Sequence, residues 1–532
     1  MSTVRSGSPG LARRGRKQTA RSAHGMAITS HPLATRTALD VLRAGGNACD
    51  AALSAAAVQL IVEPHMTSIT GALSLLYHEA ATATDRYLNA DVNTPLVPLV
   101  GFSARDTTMG RGVPVPGFWA GYEAALKQFG SWKTKQLLAP AIALAREGFE
   151  LDAFLYGEMY HHAHDITRTG SAQAREVFFP AGTMLTPGEL LRQERAARTL
   201  ERLAEEGSAY FYHGDFARHF VRTVQDAGGV ITLDDLAAYE VRWQTPVRGT
   251  YHGYSLVSSP SPDNGGVLLI QALNMVELLE VPRWGPPARS RETLAALIRI
   301  HNDVYAAGCS HVDGANLDYD TLLSKQHASE RLAKLAMGTP SASPVGARPG
   351  TNHLVVADGH GNVASLLHSH MAYPWSNGLF VDGFTVSAGG IFFLRTMPPP
   401  GGRATIYIAP TFVYKGDQLR FALGSPSPSL VANILQNLVN MLDFGMSIEE
   451  SVHQPRFGSY TFSDEGWTGG NLVEPELIDR HGAYLNERGI YTRIAEPWAW
   501  ILGAFECIGF DEAGHQMVSC GDPRRLSRAE GL

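Results

Sequence analysis

Thr351 follows Gly350 and opens an apolar run, Asn352-His353-Leu354-Val355-Val356. A hydroxyl residue that begins a strand directly behind a cleavable Gly-Thr bond suits an N-terminal nucleophile. Cleavage there leaves a free α-amino group beside the Thr351 hydroxyl. Such an amine has an ordinary pKa of about 7.7–8, so it can serve as base for its own hydroxyl near neutral pH. The run reaches Asp358, turns through Gly359-His360-Gly361 and returns from Asn362. Antiparallel pairing about His360 sets Val355 opposite Ser365 and Thr351 opposite Ser369. A second hydroxyl therefore stands beside the first. Many Gly-Thr pairs simply start strands, and the hairpin alone leaves that plainer role open.

The elements that must hold this hairpin come in a clear order. Helical patterns are predicted over 35–42, 48–60, 118–129 and 132–147, and dominate 151–203. Thr232-Leu233-Asp234-Asp235-Leu236 is a capped helix start. Strands are predicted over 73–77, 247–251 and 254–258, then a helix over 266–279. Residues 339–350 are rich in Pro, Ser, Ala, Gly and Arg and read as an exposed, mobile joint. Beyond it lie predicted strands at 354–357, 363–367, 405–408, 411–414 and 419–423, and a helix at 430–443.

Composition narrows the function classes. The 532 residues are 44% hydrophobic and 18% charged, which excludes a disordered chain. The net charge is −7, and residues 1–25 carry six cations and no acid, so the remainder stands at −13. Nucleic-acid binding finds no support in that balance. The basic head lacks an apolar core and reads as a disordered tail over 1–25 rather than an export signal. Residues 51–62 are too few to span a bilayer, so no membrane role is expected. Cys49, Cys309, Cys507 and Cys520 are scattered without a CxxC pair, which suits a cytoplasmic protein with no disulfide framework. No cofactor or metal is expected. His161-His162-Ala163-His164-Asp165 reads as a solvated polar helix face.

From residue 25 to 520 the chain resembles the γ-glutamyltranspeptidase family of N-terminal nucleophile hydrolases. The resemblance rests on segments in family order: Ser30-His31-Pro32-Leu33-Ala34, Gly45-Gly46-Asn47-Ala48, Val62-Glu63-Pro64-His65 and Val115-Pro116-Gly117. Further on come Leu138-Ala139-Pro140-Ala141-Ile142, Thr232 to Tyr239, Gly265-Gly266, Thr351-Asn352-His353 and Gly424-Ser425-Pro426. The resemblance implies an α/β fold, a four-layer αββα sandwich, made as one precursor that cuts itself between Gly350 and Thr351. Residues 26–350 would form a large subunit and 351–532 a small one, both building one domain. It implies Thr351 as nucleophile and Ser369 as the supporting hydroxyl. The implied partners are the two subunits for each other, a small-molecule substrate, and a dimer of such heterodimers.

Departures from the family pattern bear on the substrate. Where the family grips a glutamyl carboxylate with Arg, this chain has Asp91, which repels a carboxylate. Ile406 and Tyr407 replace a serine pair, Met371 replaces an Asn, and 390–395 contains no acid to hold the glutamyl amino group. The family's Gly-Gly oxyanion donors become Ser427-Pro428, and Pro428 has no N–H. Ser427, through its N–H or hydroxyl, and His370 are the candidates for the missing donor. A regular strand points His370 away from Ser369, which favours a structural role for it. Asp91, Met371, Tyr407 and Arg395 are the candidate substrate contacts, with Arg395 placed to meet a substrate carboxylate. Pro262-Asp263-Asn264-Gly265-Gly266 reads as a helix start, and His65 as a buried turn beside the pocket.

The expected function is a self-processing N-terminal threonine hydrolase that cleaves a small non-glutamyl amide or acyl substrate through an acyl-enzyme. Three alternatives stand beside it. They are a glutathione hydrolase or γ-glutamyltransferase with a rebuilt clamp, a carbon–carbon hydrolase of a keto acid in secondary metabolism, and a catalytically weak homologue with a binding role.

Overall fold

The computed structural model describes residues 15–308, 317–336, 350–372, 374–460 and 470–532. Two seven-stranded sheets form its centre, and every printed strand pairing within them is antiparallel. The first runs Arg528–Gly531, Gly25–Thr29, Thr351–Asp358, Val363–Ser369, Ala72–Glu79, Thr84–Ala90, Arg242–Gln244. The second runs Thr19–Ser22, Met517–Cys520, Glu506–Phe510, Gln418–Gly424, Thr411–Lys415, Tyr254–Ser258, Val247–Tyr251. Strands from before and after Gly350 share both sheets.

Strand periodicity decides the layering. Odd-numbered Val355 and Ala357 join Met26, Phe412, Ala422 and Ile508 in a dry core between the sheets. Even-numbered Leu354 and Val356 face the other way, into the helices Pro32–Arg43, Ala48–Val62, Phe118–Phe129 and Thr134–Glu147. The second sheet is covered on its outer face by Gly265–Leu279, Arg291–Gly308 and Leu430–Leu442. The result is the four-layer αββα sandwich. The central strands Gly25–Thr29, Thr351–Asp358 and Val363–Ser369 are buried on both faces, which suits an apolar run such as Leu354 to Ala357 rather than strict alternation. The helix Ala48–Val62 is buried along its whole length, and five of its fifteen residues besides Ala48 are alanines that let sheet and helices close on it.

Three expectations are corrected. Thr19–Ser22, inside the expected tail, is an edge strand paired with Met517–Cys520, and Thr19 N–H donates to Glu449 at 3.1 Å. Residues 1–14 and the joint residues 339–349 lie outside the described residues. No strand forms at 405–408; the backbone there makes a single bridge, Asp263 to Ile406, because Ile406 N–H is taken by Pro262 O at 3.1 Å. Within 161–165, His162 is buried against Trp375 with ring centroids 6.1 Å apart, so that helix face is not wholly solvated. Among the described residues no helix is long and apolar enough to cross a membrane.

Polar groups also tie the sheets together. His353 lies 2.9 Å from Ser365 Oγ and 3.3 Å from Glu506 Oε2, and Ser30 donates to Glu506 at 2.8 Å. Burial pulls the His353 pKa to about 3 and pushes Glu506 well above the carboxylate range, so both are neutral at pH 7. The ring sits against Gly424 of the second sheet. A Cβ at Gly424 would stand 2.3 Å from His353 Nε2. Gly424→Ala should therefore destabilise the protein by about 1–3 kcal/mol, read as a lower urea midpoint at unchanged slope.

Candidate active site

The hairpin register is the one expected: Thr351 pairs with Ser369 and Val355 with Ser365. Thr351 Oγ1 and Ser369 Oγ are 3.0 Å apart. Ser369 Oγ also donates to the Gly350 carbonyl oxygen at 2.7 Å and accepts the Met371 N–H at 2.9 Å. A serine has one proton to give. With that proton on Gly350 O, Thr351 must donate to Ser369. The chain Thr351 O–H, Ser369 O–H, Gly350 C=O thus draws a proton off the Thr351 hydroxyl and polarises the carbonyl before it. Attack by Thr351 Oγ1 on Gly350 carbon closes a five-membered ring, the path of an N-to-O acyl shift.

Local geometry shapes both neighbours. A Cβ at Gly350 would lie 2.5 Å from His65 O and 3.0 Å from Met66 Cα, so only glycine fits this approach. Gly350 N–H is held by Ala372 O at 2.7 Å. Met371 takes φ +65°, which swings its N–H onto Ser369.

A second group of contacts, absent from the sequence reading, holds Thr351 from behind. Arg525 donates to Thr351 O at 3.1 Å, lies 3.7 Å from Glu63 Oε1, and stacks over Phe154 and Trp500, both at 5.3 Å. Gln59 donates to Glu63 at 3.0 Å, and its carbonyl faces His368 Nε2 at 2.9 Å. That fixes the Nε2–H tautomer, leaving His368 Nδ1 to accept from Thr67 at 2.7 Å. His368 thus points into the helix layer, away from Ser369. His65, also on the Gly350 side, is buried, and neither ring nitrogen has a hydrogen-bond partner among the described residues. Burial pulls its pKa to about 3, and Arg525 adds to the effect.

The remaining candidates fall in three places. Asp91 is fully buried past the end of Thr84–Ala90, with its backbone carbonyl held by Tyr239 O–H at 2.6 Å and by Arg403. Its carboxyl pairs with that of Asp263, and Asn89 Nδ2 donates to both, at 3.1 and 2.7 Å. Ser74 lies 3.3 Å from each, and Tyr87 O–H donates to Asp263. Burial first, then the Asp263 charge, pushes Asp91 well above the carboxylate range, so Asp91 keeps its proton and Asp263 accepts it. Asp91 stands three strands from Thr351, about 14 Å across the sheet, and does not touch the hydroxyls. Its partner Asp263 is thus more than part of a helix start.

Arg395 lies over the Tyr407 and Tyr305 rings, at 4.8 and 5.2 Å, and Tyr305 O–H reaches Pro428 O at 3.5 Å. Ser427 takes φ +92°, a conformation that favours glycine. Its hydroxyl donates to Ile501 O at 3.0 Å and accepts Ser429 N–H at 3.2 Å, so the hydroxyl is committed within its own loop. His370 is buried, and burial pulls its pKa to about 4 against the opposing effect of a hydrogen bond to the Ala372 backbone. Met371 joins Ala72, Ile391, Phe392, Phe393 and Ile406 in a buried apolar cluster.

A four-layer αββα sandwich with a hydroxyl at the head of a central strand defines an N-terminal nucleophile hydrolase. The family model for gamma-glutamyltranspeptidase matches residues 34–532, and the chain belongs to that family. It is 30% identical over 493 residues to the acylase ACY 1 proenzyme of Pseudomonas sp. (strain V22), covering 86% of this chain and 85% of that protein. It is 28% identical over 497 residues to the glutathione hydrolase proenzyme of Bacillus subtilis (strain 168), covering 83% and 82%. The cephalosporin acylase structure from Bacillus halodurans superposes with a TM-score of 0.85 at 24% identity, covering 100% and 99%, and shares the fold. The protein is an enzyme of this family, whose relatives include acylases and glutathione hydrolases named as proenzymes.

Two outcomes follow from these contacts. Ser369→Ala removes the donor on Gly350 O and should slow appearance of cleaved fragments about 100- to 1,000-fold on a timed denaturing gel. His368 is held neutral, with a folded pKa of about 3 against 6.5 unfolded. The unfolded state alone takes up the proton below pH 6.5, so this contribution is present above that pH and is lost as pH falls toward 3. Between pH 7 and 5, wild type should lose about 2 kcal/mol more stability than His368→Gln in urea titrations.

Proposed function

We propose that Thr351 is the nucleophile of a self-processing amidohydrolase that acts on a small non-glutamyl amide through an acyl-enzyme. The observation that carries this reading is the hydroxyl pair Thr351–Ser369 resting on the Gly350 carbonyl. Thr351 Oγ1 adds to the Gly350 carbon, the C–N bond breaks, and the amine leaves with the proton. Water then hydrolyses the resulting ester. The products are chains of 350 and 182 residues, still joined through both sheets, and a new α-amine on Thr351. In turnover that α-amine takes the Thr351 proton, the hydroxyl adds to the substrate carbonyl, the substrate C–N bond breaks as its amine leaves with that proton, and water then hydrolyses the ester to release the acid and restore the hydroxyl. The Ser427 N–H is the oxyanion donor in this reading, since its hydroxyl is engaged elsewhere and Pro428 has none.

A non-glutamyl substrate is supported by Asp91 at the carboxylate-binding position and by the apolar replacements at 371 and 406. Arg395, over the Tyr407 and Tyr305 rings, is the one cation this reading assigns to meet a carboxylate, on the amine half of the substrate. Scattered cysteines support a cytoplasmic location, and pairing of two heterodimers completes the assembly.

The purified chain, incubated and examined by denaturing gel and intact mass, should yield a fragment starting at Thr351. Thr351→Ala should remain a single full-length band and hydrolyse no amide. Both fragments from Thr351→Ala would move the nucleophile elsewhere.

A further inference from the structure

The positions where a glutamyl clamp is missing do more than lack charge; they converge. Met371 begins beside the reaction centre, because its own N–H bonds to Ser369 Oγ. Its side chain packs with Ala72, Ile391, Phe392, Phe393 and Ile406, all at most 5% exposed. Ala72 is the strand partner of Ser369, so the Cβ next along the row after the two hydroxyls is a methyl. Asp91 follows Ala90, the partner of Leu73, and so ends the same row. The row beside Thr351 therefore runs hydroxyl, hydroxyl, methyl, and that methyl belongs to the same buried apolar cluster as Met371 and Ile406.

Charged groups at its edge are already spoken for. Asp91 shares a proton with Asp263, and Asn89 and Tyr87 donate to the pair. Arg403 is bonded to the backbone carbonyls of Asp91 and Glu240. Ile406 belongs to this apolar wall, whereas Tyr407, with Arg395 above it, packs into the core of the second sheet. A γ-glutamyl group would bring an ammonium and a carboxylate to a wall whose nearest atoms are hydrocarbon, which strips their hydration without replacing it.

We infer that the acyl group this enzyme accepts is uncharged and apolar, seated on Ala72, Met371 and Ile406 with the aromatic residues 392 and 393 behind. The inference rests on the assignment of Thr351 as nucleophile. Transfer of each methylene of such a chain from water to the wall is worth about fourfold in affinity.

The self-cleaved enzyme should be assayed with acetyl-, butyryl-, hexanoyl- and γ-glutamyl-p-nitroanilide. kcat/KM should climb from acetyl to hexanoyl by roughly 200-fold, four methylenes at about fourfold each, and hexanoyl should exceed γ-glutamyl by at least as much. Met371→Asn and Ile406→Ser, each confirmed as self-cleaved on a gel, should each lower hexanoyl kcat/KM about tenfold or more, while Met371→Leu should keep it. A γ-glutamyl rate equal to the hexanoyl rate, a flat response to chain length, or cleaved variants with unchanged hexanoyl kcat/KM would overturn the inference. If Thr351-dependent self-cleavage and amide hydrolysis persist under any of those results, only the acyl assignment fails. Fragments or hydrolysis that survive Thr351→Ala would instead remove the reading beneath it.

Discussion

One backbone register governs the site: the antiparallel ladder that sets Thr351 against Ser369. A slip of one residue would turn Thr351 from the space between the sheets into the helix layer. It would also exchange Ser369 for His368, whose ring is fixed on Gln59 and Thr67. The register is held from three directions. The turn at Gly359 to Gly361 closes the hairpin, the strand Gly25–Thr29 pairs on one side, and Ala72–Glu79 pairs on the other. Val355 and Ala357 then lock the face, since only this register puts them in the dry inter-sheet core.

Buried charge is arranged around that ladder in two contrasting ways. On the Arg525 side, a guanidinium is desolvated and answered by Glu63, two aromatic faces and the Thr351 carbonyl. On the Asp91 side, two carboxyls meet with no cation on their oxygens and settle the conflict by keeping a proton. Between the sheets, His353 and Glu506 reach the same end by both being neutral. In these last two places the acids stay neutral because no opposite charge meets their oxygens, whereas the buried Arg525 guanidinium has Glu63 beside it and holds the Thr351 backbone.

Much of this was legible in the residues. The Gly-rich turn and the apolar run around it were enough to place the Thr351–Ser369 pair, because hairpin register is local arithmetic. Helices such as Phe118–Phe129 and strands such as Val247–Tyr251 announce themselves through Gly, Pro and period. What stayed hidden depends on distant pairing. Nothing near Arg525 points to Thr351, 174 residues away, and nothing near Asp91 points to Asp263. The segment 405–408 has strand-like composition, yet the Pro262–Asn264 turn takes its hydrogen bonds first. The role of Thr19–Ser22 was masked by the basic residues around it, since edge pairing is set by the backbone of a strand near the other end of the chain.

The interleaving of strands has a consequence for how the molecule can be made. In the first sheet Gly25–Thr29 lies between Arg528–Gly531 and Thr351–Asp358, and in the second Thr19–Ser22 lies outside Met517–Cys520. A break between Gly350 and Thr351 therefore releases nothing, because each piece is clamped by hydrogen bonds to the other. Before the break, assembly of the sandwich is a one-chain event, independent of concentration. After it, a denatured enzyme must find its other half in solution and thread strands alternately into two sheets. A cut at that bond would thus act as a ratchet on the molecule's history: easily survived once folding is complete, it would make the route back second order.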